Sequence, residues 1–294
     1  MKTGRRRRLF VRVPFRGAIS TRTFSAVANT NVGNRIVLDE WVPYRSDSAT
    51  ARLRVIGFPH AAGNALFYRS WRTYMPVDID FCPIELPGHG QRIEEMPFTH
   101  LDTLVPTLQA VLEPLLTIPF AFFGHSTGAC IAFEAARVLR APDGRSATHL
   151  FVSGRPAPGR AIGHRSIHSL SDQDLVAALV RYGGTPSVVM ERADLLTAVL
   201  STLRSDLALV ESHRPAAGTR LTCPITAFGG VDDTIDSVSL QAWSEFTAAS
   251  FRVRMFPGGH FYLSEVGRAL VDEIVRDLCR AETLQAPRLA GAAI

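Results

Sequence analysis

From about residue 36, short apolar runs alternate with amphipathic stretches, the pattern of strand–helix units laid on a parallel sheet. Leu53–Phe58 reads as a strand, and Asn64–Tyr74 carries Leu66, Phe67, Trp71 and Tyr74 at helical spacing. Ile79–Leu86 is the next strand and ends at the Pro87-Gly88 turn. His100–Leu116 is apolar near every third or fourth position and reads as a helix. Pro119–Phe123 is a strand with the helix Gly128–Leu139 following directly on it. His149–Ser153, Pro224–Phe228 and Phe251–Phe256 are further strands, and Glu265–Cys279 is a closing helix.

Residues 155–222 break this rhythm. Two helical patterns, Asp172–Tyr182 and Arg192–Ser212, are joined by Gly183-Gly184-Thr185-Pro186 with no strand between them. Ser171 is placed to cap the first, with Asp174 suiting the helix dipole. An all-helical insertion between two strands is expected to form a lid over the carboxyl edge of the sheet, where ligands bind in open α/β sheets.

Composition changes the picture at the ends of the chain. The 294 residues are 46% hydrophobic and 20% charged, ordinary for a globular protein with a sizeable core. The net charge of +5 is misleading, because residues 1–35 hold nine of the 32 basic residues and no acidic one. The remainder carries 23 basic against 27 acidic residues, a net charge of −4, which removes the main support for nucleic-acid binding. Residues 1–35 are read as a disordered basic tail or a start placed too far upstream, with an organelle transit peptide as the alternative. Residues 36–283 form the expected domain and 284–294 a second tail. No apolar run approaches the roughly 20 residues that span a bilayer. Cys82, Cys130, Cys223 and Cys279 show no paired spacing; buried free thiols and a cytoplasmic location are expected.

The chemistry centres on Gly124-His125-Ser126-Thr127-Gly128, which fits the nucleophile elbow G-x-S-x-G with a strand running in and a helix running out. The turn is tight enough to require glycine at both flanks, and it sets the serine hydroxyl at a helix N-terminus. The fold class is therefore α/β, an α/β-hydrolase with a mostly parallel sheet flanked by helices and a helical lid. Ser126 is the expected nucleophile, and it needs a base. In this fold the order is serine, acid, histidine. Of nine histidines, His260 fits, following the strand Phe251–Phe256 through Pro257-Gly258-Gly259. The acid is expected in the turn Gly229-Gly230-Val231-Asp232-Asp233. Gly230-x-x-Asp233 favours Asp233, but Gly229-x-x-Asp232 satisfies the same spacing, so both stand. The oxyanion needs two backbone N–H donors, expected from Thr127 and, in the turn after the first strand, from Ala61. His60 is expected to shape that turn. No metal or other cofactor is implied.

Phe58-Pro59-His60-Ala61-Ala62-Gly63, Leu86-Pro87-Gly88-His89-Gly90-Gln91-Arg92, the elbow, Phe151-Val152-Ser153-Gly154-Arg155, Cys223-Pro224-Ile225 and Phe256-Pro257-Gly258-Gly259-His260-Phe261-Tyr262-Leu263 occur in that order. This set resembles the type II thioesterases, the stand-alone editing enzymes of polyketide synthases and non-ribosomal peptide synthetases, over about residues 41–280. The family more often has glycine where Ala62 stands and leucine or methionine where Thr127 stands, departures expected to alter acyl preference. The resemblance implies hydrolysis of acyl or aminoacyl thioesters on the phosphopantetheine arm of acyl or peptidyl carrier proteins, with acyl-coenzyme A as a surrogate. Arg92 and Arg155 are candidate contacts for an acidic carrier. A carboxylesterase or lipase, a chain-terminating cyclase and a non-catalytic carrier-binding module are the rival readings.

Overall fold

The computed structural model describes residues 37–45, 50–160, 167–183, 187–211, 213–214 and 218–285; the basic segment 1–35 and residues 286–294 lie outside the described residues. A short helix α1 (37–41) leads into β1 (Leu53–Phe58). The chain continues through α2 (Trp71–Tyr74), β2 (Ile79–Pro83), α3 (Leu101–Leu112), β3 (Phe120–His125), α4 (Thr127–Val138) and β4 (Leu150–Ser153). Helices α5 (Asp172–Tyr182), α6 (Ser187–Glu191) and α7 (Ala193–Glu211) precede β5 (Ile225–Gly230), α8 (Ser237–Gln241), β6 (Phe251–Phe256) and α9 (Gly267–Gln285).

The six strands form one parallel sheet in the order β2-β1-β3-β4-β5-β6. The winding reverses between β1 and β3, so the crevice at their carboxyl ends is the switch point where such sheets take ligands. Register brings Phe58 opposite Gly124 and His125 opposite Ser153, which places the loop after β1 and the turn after β4 on either side of the elbow. Side chains alternate between two cores. Phe120 and Phe122 pack with Leu104, Leu108 and Phe133 under α3 and α4, whereas Ala121 and Phe123 pack with Trp71, Leu270 and Ile274 under α2 and α9.

Three elements differ from the expectations drawn from the sequence. Asn64–Tyr74 is not one helix: Ala65–Tyr68 is a 3₁₀ turn followed by α2. Ala65, Tyr68 and Trp71 are buried at steps of three, which suits three residues per turn rather than 3.6. The strand expected over Ile79–Leu86 ends at Pro83, and beyond it the Glu85 N–H donates to Trp41 O instead of to the sheet (2.8 Å). The segment after Gly183 contains the extra helix α6. Ser171 does cap α5, accepting from the Asp174 N–H at 3.2 Å. None of the four cysteines is in a disulfide, and Cys279 is exposed on α9 rather than buried. No helix among the described residues is long and apolar enough to cross a membrane.

Candidate active site

β3 runs straight into α4, and the single residue between them, Ser126, takes φ 54°, ψ −116°. A non-glycine residue holds such a conformation only where its surroundings over-determine it. Here Ser126 N–H donates to Ser153 O on β4 (2.8 Å). A Cβ on Gly124 would meet Gly128 O at 2.0 Å, and one on Gly128 would meet Phe58 O at 2.3 Å. The elbow therefore needs both glycines for close backbone approach, as the pentapeptide implies.

β5 ends in the turn that separates the two aspartates. Val231 N–H donates to Phe256 O (2.9 Å) and Asp232 N–H to Gly258 O (3.0 Å), which leaves the Asp232 side chain in solvent. Asp233 turns inward, its side chain 1% exposed, with Oδ2 2.8 Å from His260 Nδ1. A carboxylate only accepts, so Nδ1 carries the proton, and Nε2 is the nitrogen left to take one from a nucleophile. His260 sits among Tyr182, His125 and Phe261, with ring centroids at 5.2, 4.9 and 5.2 Å. Ser126 and His260 line the same cavity. The hydrogen bonds among the described residues do not include one between them, a contact often long in unliganded hydrolases.

The loop after β1 supplies the other face. Ala62 N–H donates to Asp206 Oδ2 (2.7 Å) and Gly63 N–H to His60 O (2.9 Å). Those of Ala61 and Thr127 carry no partner among the described residues. Thr127 opens α4, where the helix dipole favours negative charge. The His60 ring packs edge-on against Phe67 and Phe261. Desolvation, with the charges of His260 and His89 nearby, pushes its pKa down to about 3, so the ring is neutral at physiological pH. His125 is likewise held well below the usual range, first by burial and then by His260 and His60, with Nδ1 2.9 Å from Ser153 Oγ.

The cavity encloses about 520 Å³. Ser126, His260, Ala61 and Ala62 form its floor; Leu175, Leu179 and Tyr182 of α5, with Val199, Leu203 and Leu207 of α7, form an apolar wall. Ala62 thus touches the cavity, but Thr127 is buried and does not line it. Arg155 is half-buried and lines the cavity. Arg92 is not a surface cation: it is 9% exposed, stacks over Trp41 at 4.5 Å and grips Glu95 with two hydrogen bonds. Among the described residues, no group of three or more His, Cys, Asp or Glu is arranged to hold a metal ion.

Three contributors escaped the sequence reading. Tyr182 covers one side of His260. Buried Glu85 accepts from the Ala65 and Gln91 N–H groups (2.7 and 2.8 Å), tying the loops that follow β1 and β2. Asp206 joins both loops to α7. Asp206 had left a signal: with Leu203 and Val210 it falls on the buried stripe of an amphipathic helix, where an acid needs partners.

A family model described as "Thioesterase domain" matches residues 54–281. The gramicidin S biosynthesis protein GrsT of Aneurinibacillus migulanus is 36% identical over 242 residues, covering 82% of this chain and 94% of that protein. Thioesterase PikA5 of Streptomyces venezuelae is 33% identical, over 80% of this chain and 84% of that one. Among solved structures, the type II thioesterase BorB from the borrelidin biosynthetic cluster superimposes with a TM-score of 0.71 at 36% identity, covering 81% of this chain and 97% of that one. An elbow serine, a histidine–aspartate pair and a parallel sheet wound about one crevice agree with these likenesses, and the chain belongs to the thioesterase-domain family of α/β-hydrolases.

Proposed function

We propose that the protein hydrolyses acyl and aminoacyl thioesters held on the phosphopantetheine arm of acyl or peptidyl carrier proteins, clearing stalled or misloaded arms. The observation that carries this reading is the shared cavity, where Ser126 and the paired His260 face an apolar wall with room for an acyl chain. Relatives named for gramicidin S and borrelidin biosynthesis support the carrier-bound substrate.

Ser126 Oγ attacks the thioester carbonyl while His260 Nε2 takes its proton, and Asp233 holds the imidazole and offsets its charge. The N–H groups of Thr127 and Ala61 hold the oxyanion. His260 returns the proton to sulfur, and the pantetheine thiol leaves. Water then enters, gives a proton to His260 and attacks the acyl-Ser126 ester; collapse releases the acid and restores the serine. Helices α5–α7 serve as the lid, acyl-coenzyme A as a surrogate substrate and the cytoplasm as the compartment, which suits cysteines outside any disulfide. Arg155, which lines the cavity, is the remaining candidate contact for an acidic carrier.

The test is incubation with acyl- and aminoacyl-loaded carrier proteins, read as the mass of the pantetheine arm. Loss of the acyl mass with wild type and its retention with Ser126→Ala is expected; an unchanged arm with wild type overturns the carrier assignment. Rates on matched oxygen esters and thioesters separate this reading from an esterase.

A further inference from the structure

The buried Asp206 sits where the insertion meets the sheet loops. Its Oδ2 takes the Ala62 N–H at 2.7 Å and faces His89 Nε2 at 2.8 Å. His89 Nδ1 lies 3.0 Å from Pro87 O, a carbonyl that can only accept, so Nδ1 carries a proton; Nε2 toward the carboxylate carries the other. Burial opposes charge on this ring, but the Asp206 carboxylate, the Pro87 carbonyl and Glu85 outweigh it and raise its pKa. His89 is thus clamped between Pro87 and Asp206 in a setting that favours its charged form. One turn earlier on α7, Thr202 Oγ1 donates to Gly88 O (3.2 Å).

The consequence falls on Ala62, which sits at φ 56°. An alanine reaches the left-handed region only against a steric penalty, and a lone turn would relax out of it. The bond to Asp206 holds Ala62 there and turns its N–H toward α7. The preceding N–H, that of Ala61, is left unpartnered among the described residues, in a loop residue that lines the cavity of Ser126. Leu200 and Leu203 of the same helix, with Leu175 of α5, form the cluster against which Ala61 and Ala62 pack.

We propose that Asp206 is a positioning residue for the oxyanion hole. By fixing the Ala61–Ala62 turn from α7, it makes the helical insertion, and not the sheet loops alone, complete the second oxyanion donor. Seating of α7 therefore governs the chemical step as well as access to Ser126. The inference rests on Ala61 as an oxyanion donor in the acyl-transfer reading above.

The experiment compares Asp206→Ala and Asp206→Asn with wild type on the acyl thioester that wild type turns over fastest. An alkyl trifluoromethyl ketone, whose adduct with Ser126 carries an oxyanion, serves as the transition-state probe. Asp206→Ala is expected to lower kcat about 100-fold, the scale of a lost oxyanion donor, with KM changed less than about threefold. Ketone affinity should fall by the same factor as kcat. Asp206→Asn keeps an acceptor for Ala62 but loses the charge facing His89, so kcat and ketone affinity should fall together by about threefold to tenfold.

A kcat within threefold of wild type in a folded Asp206→Ala variant overturns the proposal. So does a rise in KM with ketone affinity unchanged, which would make Asp206 a mere wall of the acyl pocket. Should the alanine variant not fold, the Asn variant decides by the same comparison. The underlying reading fails separately: turnover that survives Ser126→Ala overturns the nucleophile assignment whatever Asp206 does.

Discussion

Asp232 and Asp233 are neighbours in one turn, yet only Asp233 reaches His260. Removing the charge from each should separate their roles. Asp233→Asn is expected to lower kcat about 10⁴-fold, because the amide favours the wrong imidazole tautomer. Asp232→Asn should stay within about threefold of wild type; steady-state kinetics on one thioester checks both, and equal losses would overturn the assignment. Much of this candidate site was legible in the chain. Ser126 announces itself by its flanking glycines, and His260 by its place after the last strand. The choice between the aspartates was not legible, because each stands three residues after a glycine. It depends on two backbone hydrogen bonds, one to the end of β6 and one to the loop of His260. Asp206 was harder still, since its partners lie 117 and 144 residues away and no local pattern joins them.

Helix-scale patterning was readable wherever one face is buried against the sheet. It failed where aromatic packing imposes another period, as at Tyr68 and Trp71. It also could not tell which face of α5 and α7 lines the cavity, because each is apolar on that side for the same reason any helix is. That wall predicts chain selectivity. Leu179→Trp fills space occupied by two or three methylenes, each worth about 0.8 kcal/mol of burial. Preference should move at least tenfold toward shorter acyl groups, measured as kcat/KM across a chain-length series. A uniform loss at all lengths would place Leu179 outside the acyl path. The elbow gives a sharper expectation: Gly128→Ala puts a Cβ against the Phe58 and Pro59 carbonyls, backbone atoms at the end of β1 where it pairs with β3. It should lose activity and melt several degrees lower.

For the whole molecule, the sign of acid sensitivity follows from a buried neutral histidine. Thr226 Oγ1 donates to Asp277, so His149 Nε2–H must donate to Thr226 and leave Nδ1 bare. Burial, then the charge of Arg252, pushes the pKa of His149 down to about 3 against 6.5 for the free side chain. The unfolded chain therefore binds the extra proton first, and stability is present above pH 6.5 and lost as pH falls toward 3. From pH 7 to 5 this one group costs about 2 kcal/mol. His149→Phe should flatten urea-unfolding stability by that amount over the same interval, and an unchanged slope would refute the attribution.

The hydrogen bond from Ser126 N–H to Ser153 O also dictates an order of events during folding. The elbow's left-handed serine cannot be held until β4 has docked on β3, and parallel strands join only through long crossovers whose loop-closure entropy makes them slow. In refolding from urea, far-ultraviolet ellipticity from α4 and α9 should return first. Capacity of Ser126, the proposed nucleophile, to react with a fluorophosphonate should lag it, because the serine is held in the elbow only once the centre of the sheet is whole.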